Sequence, residues 1–158
     1  MRELPRQLTA DELAELFEGR TALVERLAER DDPLGPVADE VVSSLDERRL
    51  AEALDAHPAI GAGRASLSAR SAAEQGDDAD PETLAELARL NADYEARNGF
   101  RFVTFVNRRP KASVLAELRE RIELPRDEEL RRAGHELVAI ARDRWRSNGR
   151  DGTGAGMT

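Results

Sequence analysis

Apolar positions recur along most of the chain at spacings of three and four, the period of an amphipathic helix. In TADELAELF, Leu13, Leu16 and Phe17 share one face, and Thr9 with Glu12 three residues on forms a capping box at its start. Residues 20–30 read as a second short helix, ended by DDPLGP, where Pro33, Gly35 and Pro36 break the backbone. SLDERRLAEALDAHP is the third, with Leu45, Leu50 and Leu54 facing inward, and it must stop at His57, because the residue before a proline is pushed out of the α region. Residues 66–75 form a short helix, followed by the acidic loop GDDAD. DPETLAELARLNADYEARNG is the longest clear helix: Asp80 caps it, Pro81 takes the first position and Gly99 closes it. Leu84, Leu87, Asn91 and Tyr94 make its inward stripe.

The period changes at Phe100–Val106. Phe100, Phe102, Val103, Phe105 and Val106 crowd into seven residues, β-branched or aromatic. No second run of this kind pairs with it, so it reads as a buried extended segment rather than part of a sheet. Helical spacing returns over residues 110–122 and in PRDEELRRAGHELVAIARDRWRS, where Leu130, Ala133, Leu137, Ile140 and Ala141 face inward. The tail NGRDGTGAGMT is Gly-rich and expected to be disordered. The fold class is therefore all-α: one compact domain of about seven to nine helices over residues 1–147, with a tail over 148–158.

Composition narrows the function. The 158 residues suffice for one domain with a sizeable core. The net charge of −8 and the lack of a basic block argue against nucleic acid. There is no cysteine, which removes disulfides, thiolate metal sites and cysteine nucleophiles. The N-terminus carries charge throughout and shows no signal peptide, and no apolar run approaches membrane-spanning length, so a cytoplasmic protein is expected. Lys111 is the sole lysine among many arginines, a hint of a GC-rich bacterial genome.

Three places carry candidate chemistry. His57 stands directly before Pro58 and the glycines of HPAIGAG. The proline fixes the backbone and the glycines allow a sharp turn, so the imidazole is held rather than mobile, as a general acid or base must be. Ser71 and Glu74 share a helix face, with Gln75 at the helix end; from spacing alone this is an ordinary polar terminus. Arg144 lies four residues after Ile140 and seven after Leu137, in line with the apolar stripe. A guanidinium there must meet a negative charge, such as a bound carboxylate or Glu74, or else snorkel off the helix end. His135 is expected on a solvated face. The two histidines lack a metal-binding spacing. Gly-rich GAG and GTGAG lack the strand, helix and lysine of a phosphate loop.

Taken in order, HPAIG at 57–61, SAAEQ at 71–75, LNADYEARNGFRFV at 90–103 and ELVAIARDRW at 136–145 resemble the 2-oxo-4-hydroxy-4-carboxy-5-ureidoimidazoline (OHCU) decarboxylase family, over most of residues 8–146. The resemblance implies a compact helical bundle, often dimeric, that needs no cofactor or metal. The implied reaction turns OHCU, a ureide, into (S)-allantoin during urate breakdown, downstream of a hydroxyisourate hydrolase. By motif, His57 matches the catalytic histidine and Pro58 its pocket neighbour. Ser71, Glu74 and Gln75 match the substrate-holding helix. Phe102, Val103, Thr104, Phe105 and Val106 match the segment that lines the pocket, and Arg144 the pocket arginine. One position departs: Asn98 stands where the family has an aromatic residue. A non-catalytic helical module that binds a partner protein is the competing reading; it leaves the pinned histidine and the arginine on a core stripe without a reason.

Overall fold

The computed structural model describes residues 3–57 and 81–156, with side chains described as far as residue 147. Seven helices fall within the described residues: α1 Ala10–Phe17, α2 Ala22–Ala28, α3 Pro36–Ser44, α4 Glu47–Asp55, α5 Pro81–Asn98, α6 Lys111–Arg121 and α7 Arg126–Gly156. The all-α class holds, and no strand is assigned in the described residues.

Local signals set most helix ends. Thr9 caps α1 reciprocally with Glu12, at 3.0 and 3.1 Å. The Asp46 carboxylate accepts from the Arg49 N–H at 2.8 Å and opens α4. Gly99 takes φ 80° directly after α5. One helix, α3, departs from the expectation that DDPLGP merely breaks the chain. Pro36 stands in the first turn of α3, where its missing N–H leaves no bond unmade. α3 is therefore a helix beyond those expected, and the one expected from SLDERRLAEALDAHP is α4, set off from it at Leu45 and Asp46.

α7 is the central element. It packs against α1, α3 and α4, while α2 joins α1, α3 and α4, and α5 pairs with α6. Leu130, Ala133, Leu137, Ile140 and Ala141 are buried along it, as their spacing predicts. Gly134 allows the close approach, since a Cβ there would stand 2.6 Å from Val42 Cγ1 and 3.0 Å from Leu50 Cδ1. On α5 the buried stripe is Leu87, Asn91, Tyr94 and Asn98, one register later than expected; Leu84 is exposed.

Residues 101–106 take no regular secondary structure, and no strand among the described residues pairs with them. Backbone carbonyls in such a segment still require donors, and arginine side chains supply them. Arg121 Nη1 donates to Val103 O at 3.1 Å, and Arg109 donates to Phe105 O at 2.8 Å and Val106 O at 3.0 Å. Arg121 is itself buried, paired through Nε with Glu129 Oε1 at 2.8 Å and through Nη1 with Glu117 Oε2 at 2.9 Å. Tyr94 donates to Glu129 Oε1 at 2.6 Å. Burial and that carboxylate raise the phenol's pKa, so it stays protonated.

Candidate active site

His57 sits where α4 ends. Its N–H donates to Leu54 O at 3.1 Å, closing the last turn. Its carbonyl accepts from Arg101 Nη1 at 2.6 Å, and the Arg101 N–H donates to Asp55 Oδ1 at 3.0 Å. Arg101 Nε pairs with Glu95 Oε1 at 3.1 Å. The backbone of the turn is thus tied from both sides, to the end of α4 and to Arg101. It is 7% exposed, and its Nδ1 has no hydrogen-bond partner among the described residues.

Arg144 lies nearby on α7, 2% exposed. Its Nη1 donates to Leu16 O at 2.9 Å and stands 3.1 Å from Glu18 Oε1. The arginine on the apolar stripe therefore turns inward instead of snorkelling. Within the described residues its carboxylate is Glu18, where the sequence suggested Glu74. Glu18 caps the end of α1 with φ 64° and ψ 21°, the left-handed region. Such a conformation costs a non-glycine residue on the order of 1 kcal/mol. The adjacent Gly19 serves another purpose: a Cβ on it would stand 3.1 Å from Ala56 Cβ, so the end of α1 presses close to the turn that carries His57.

These neighbours set the imidazole's chemistry. Burial, then the positive charge of Arg144, pull the His57 pKa down from 6.5 to about 4; Glu18 opposes them and Arg101 adds to them. The imidazole is therefore neutral at pH 7 and remains so well into the acid range. Two uncharged ring nitrogens, one of them free of partners, lie beside a buried guanidinium. That arrangement suits an anionic ligand which pairs with the arginine and exchanges a proton with the ring.

The extended segment contributes differently at each position. Phe102 packs inward, 5.2 Å from the Tyr94 ring centroid and with the Arg121 guanidinium 4.7 Å above it. Val103 and Val106 are buried and Phe105 is partly buried. The Thr104 hydroxyl lies 2.5 Å from Glu117 Oε2 and 3.1 Å from Glu136 Oε1; with one proton it donates to one of them. Arg101, immediately before Phe102, is the link between this segment and His57. Pro58, Ser71, Glu74 and Gln75 lie outside the described residues. Among the described residues no three His, Cys, Asp or Glu side chains group as metal ligands would, and no helix is long and apolar enough to cross a membrane. His135, expected in solvent, is half-exposed with Nδ1 2.8 Å from Asp39 Oδ1.

Sequence reasoning missed Glu18 and Arg101. For Glu18 the signal present was FEGR, a glutamate before a glycine at a helix end, but that pattern places the left-handed residue at the glycine. Arg101 carried no signal beyond its place between two phenylalanines.

Comparison with known proteins bears on the family and the fold. A family model for OHCU decarboxylase matches residues 2–146. No curated protein matches the sequence. A crystal structure of OHCU decarboxylase in the presence of (S)-allantoin superposes with a TM-score of 0.64 at 23% identity, covering 77% of this chain and 86% of that one. A crystal structure of (S)-allantoin synthase superposes with a TM-score of 0.59 at 23% identity, over 89% of this chain and 50% of that one. The two share the fold. The match of the family model over nearly the whole helical region places the chain in the OHCU decarboxylase family, as a decarboxylase of purine catabolism.

Proposed function

We propose that His57 handles the proton and Arg144 the negative charge in a decarboxylation of OHCU that yields (S)-allantoin. The carrying observation is a buried imidazole with a free Nδ1 beside a buried guanidinium.

The reaction needs little from the protein. The bond between the ring carbon and the carboxylate breaks, carbon dioxide leaves, and the electron pair becomes a ring C=C bond. The substrate's own imine nitrogen accepts the displaced pair and a proton from solvent, so the electron sink lies within the substrate. The resulting enol gives up its hydroxyl proton and gains one at the ureido-bearing carbon; delivery from a single face makes the S centre. Arg144 would pair with the substrate carboxylate. That pairing offsets the guanidinium's repulsion of His57 and adds an anion nearby, so the ring's pKa rises as substrate binds. Once carbon dioxide has left, the enolate oxygen formed as the hydroxyl proton moves to the neutral imidazole would take the carboxylate's place beside Arg144, and the imidazolium would return the proton to carbon. Glu74, Ser71, Gln75 and Pro58 would hold and orient the ureide, and the backbone of Phe102, Val103, Thr104, Phe105 and Val106 would complete the wall. The reading implies a cytoplasmic setting and a hydroxyisourate hydrolase that supplies the substrate; exposed helix faces leave room for a homodimer.

The test is stereochemical. OHCU decays unaided to racemic allantoin, so optical rotation of the product reports the enzyme alone. His57→Ala should fold and lose ~10²–10⁴-fold in rate. Optically pure (S)-allantoin formed by His57→Ala as fast as by wild type would remove His57 from the mechanism.

A further inference from the structure

We infer that Glu18 is a positioning residue of this site: from the left-handed end of α1 its carboxylate fixes the Arg144 guanidinium and balances the positive charge around His57. The inference rests on the reading that His57 and Arg144 carry the reaction.

Three observations support it. Glu18 holds φ 64° although a glycine stands next to it in sequence. The strain thus falls on the one residue of the pair that has a carboxylate, and strained backbone tends to be kept where geometry matters. The conformation brings Oε1 to 3.1 Å from Arg144 Nη1, with the two side chains only 16% and 2% exposed. Finally, the Gly19–Ala56 approach seats this turn directly against the turn that bears His57.

The charges that act on His57 come from three elements. Arg144 on α7 and Arg101 after α5 are cationic, and Glu18 after α1 is the anion among them. Arg101 in turn carries Glu95 on its guanidinium and Asp55 on its N–H. Neutralising Glu18 would leave the imidazole facing two guanidinium groups and would free Arg144 to shift toward other acceptors, including a bound substrate in the wrong pose.

The experiment compares wild type with Glu18→Gln and Glu18→Gly, each checked for folding by circular dichroism. His57 is titrated by NMR, and kcat, KM and the pH profile of kcat/KM are measured by optical rotation. In Glu18→Gln the His57 pKa should fall by about one unit and kcat by about tenfold. In Arg144→Ala the pKa should move the opposite way, because the dominant cation is gone. Glu18→Gly relieves the backbone strain, so a purely conformational role predicts wild-type kinetics there, whereas the inference expects the same kinetic loss as in Glu18→Gln. Wild-type kcat, KM and His57 titration in Glu18→Gln overturn the inference while leaving the site intact. Full activity in His57→Ala would instead overturn the site reading on which it rests.

Discussion

Asn98 ends α5 with its amide buried, 2% exposed, and neither amide atom has a hydrogen-bond partner among the described residues. Burying such a group unpaired costs on the order of 1–3 kcal/mol. Leucine has nearly the same shape and no polar atoms. Asn98→Leu should therefore raise the thermal midpoint and leave kcat unchanged; its backbone carbonyl keeps the 2.7 Å bond from Arg126 Nε. A lowered midpoint in a thermal melt would mean that the amide is satisfied after all. The same scale shows what single residues reveal in advance. Arg144 was legible because a charge in line with Leu137 and Ile140 demands a partner. For His57, its place at a helix end was legible from the proline that follows it. Its depressed pKa was not, because burial and the charges of Arg144, Glu18 and Arg101 come together only through the tertiary fold.

Helix by helix, the sequence was most informative where an end is decided locally. The Thr9–Glu12 box appears with both bonds, and the stripe of α7 is buried as its period requires. α3 falls outside the sequence expectation because Pro36 reads as a break, although proline suits the first turn of a helix as well as it ends one. Leu84 departs from the expected stripe because burial on α5 begins a turn later, at Leu87, a fact of packing that a period alone does not contain. The crossing of α7 over α3 and α4 depends on Gly134. Alanine improves helix propensity there by up to ~1 kcal/mol, but its methyl would meet Val42 and Leu50, both fully buried. Overpacking typically costs ~1–3 kcal/mol, so Gly134→Ala should lower the urea midpoint. A raised midpoint would show that this crossing has slack.

For the molecule as a whole, the buried histidine couples folding to pH. In the unfolded chain the ring takes a proton near 6.5; in the fold it does so only near 4. As pH falls from 6.5 to 4, the unfolded state binds a proton that the folded state refuses, and stability drops by up to about 3 kcal/mol across that window. Above pH 6.5 both states are neutral at this position and the contribution is constant. Denaturant titrations should show this acid-side loss in wild type and not in His57→Gln; parallel curves for the two proteins would argue that the ring is more accessible than its 7% exposure implies. The mounting of that ring has a practical corollary for engineering. The chain enters residue 58 from a turn bolted to Leu54 and Arg101, and leaves residue 80 into a helix packed on α6. Both mounts belong to the bundle, so Arg101→Ala should unseat the His57 turn without altering the ring itself.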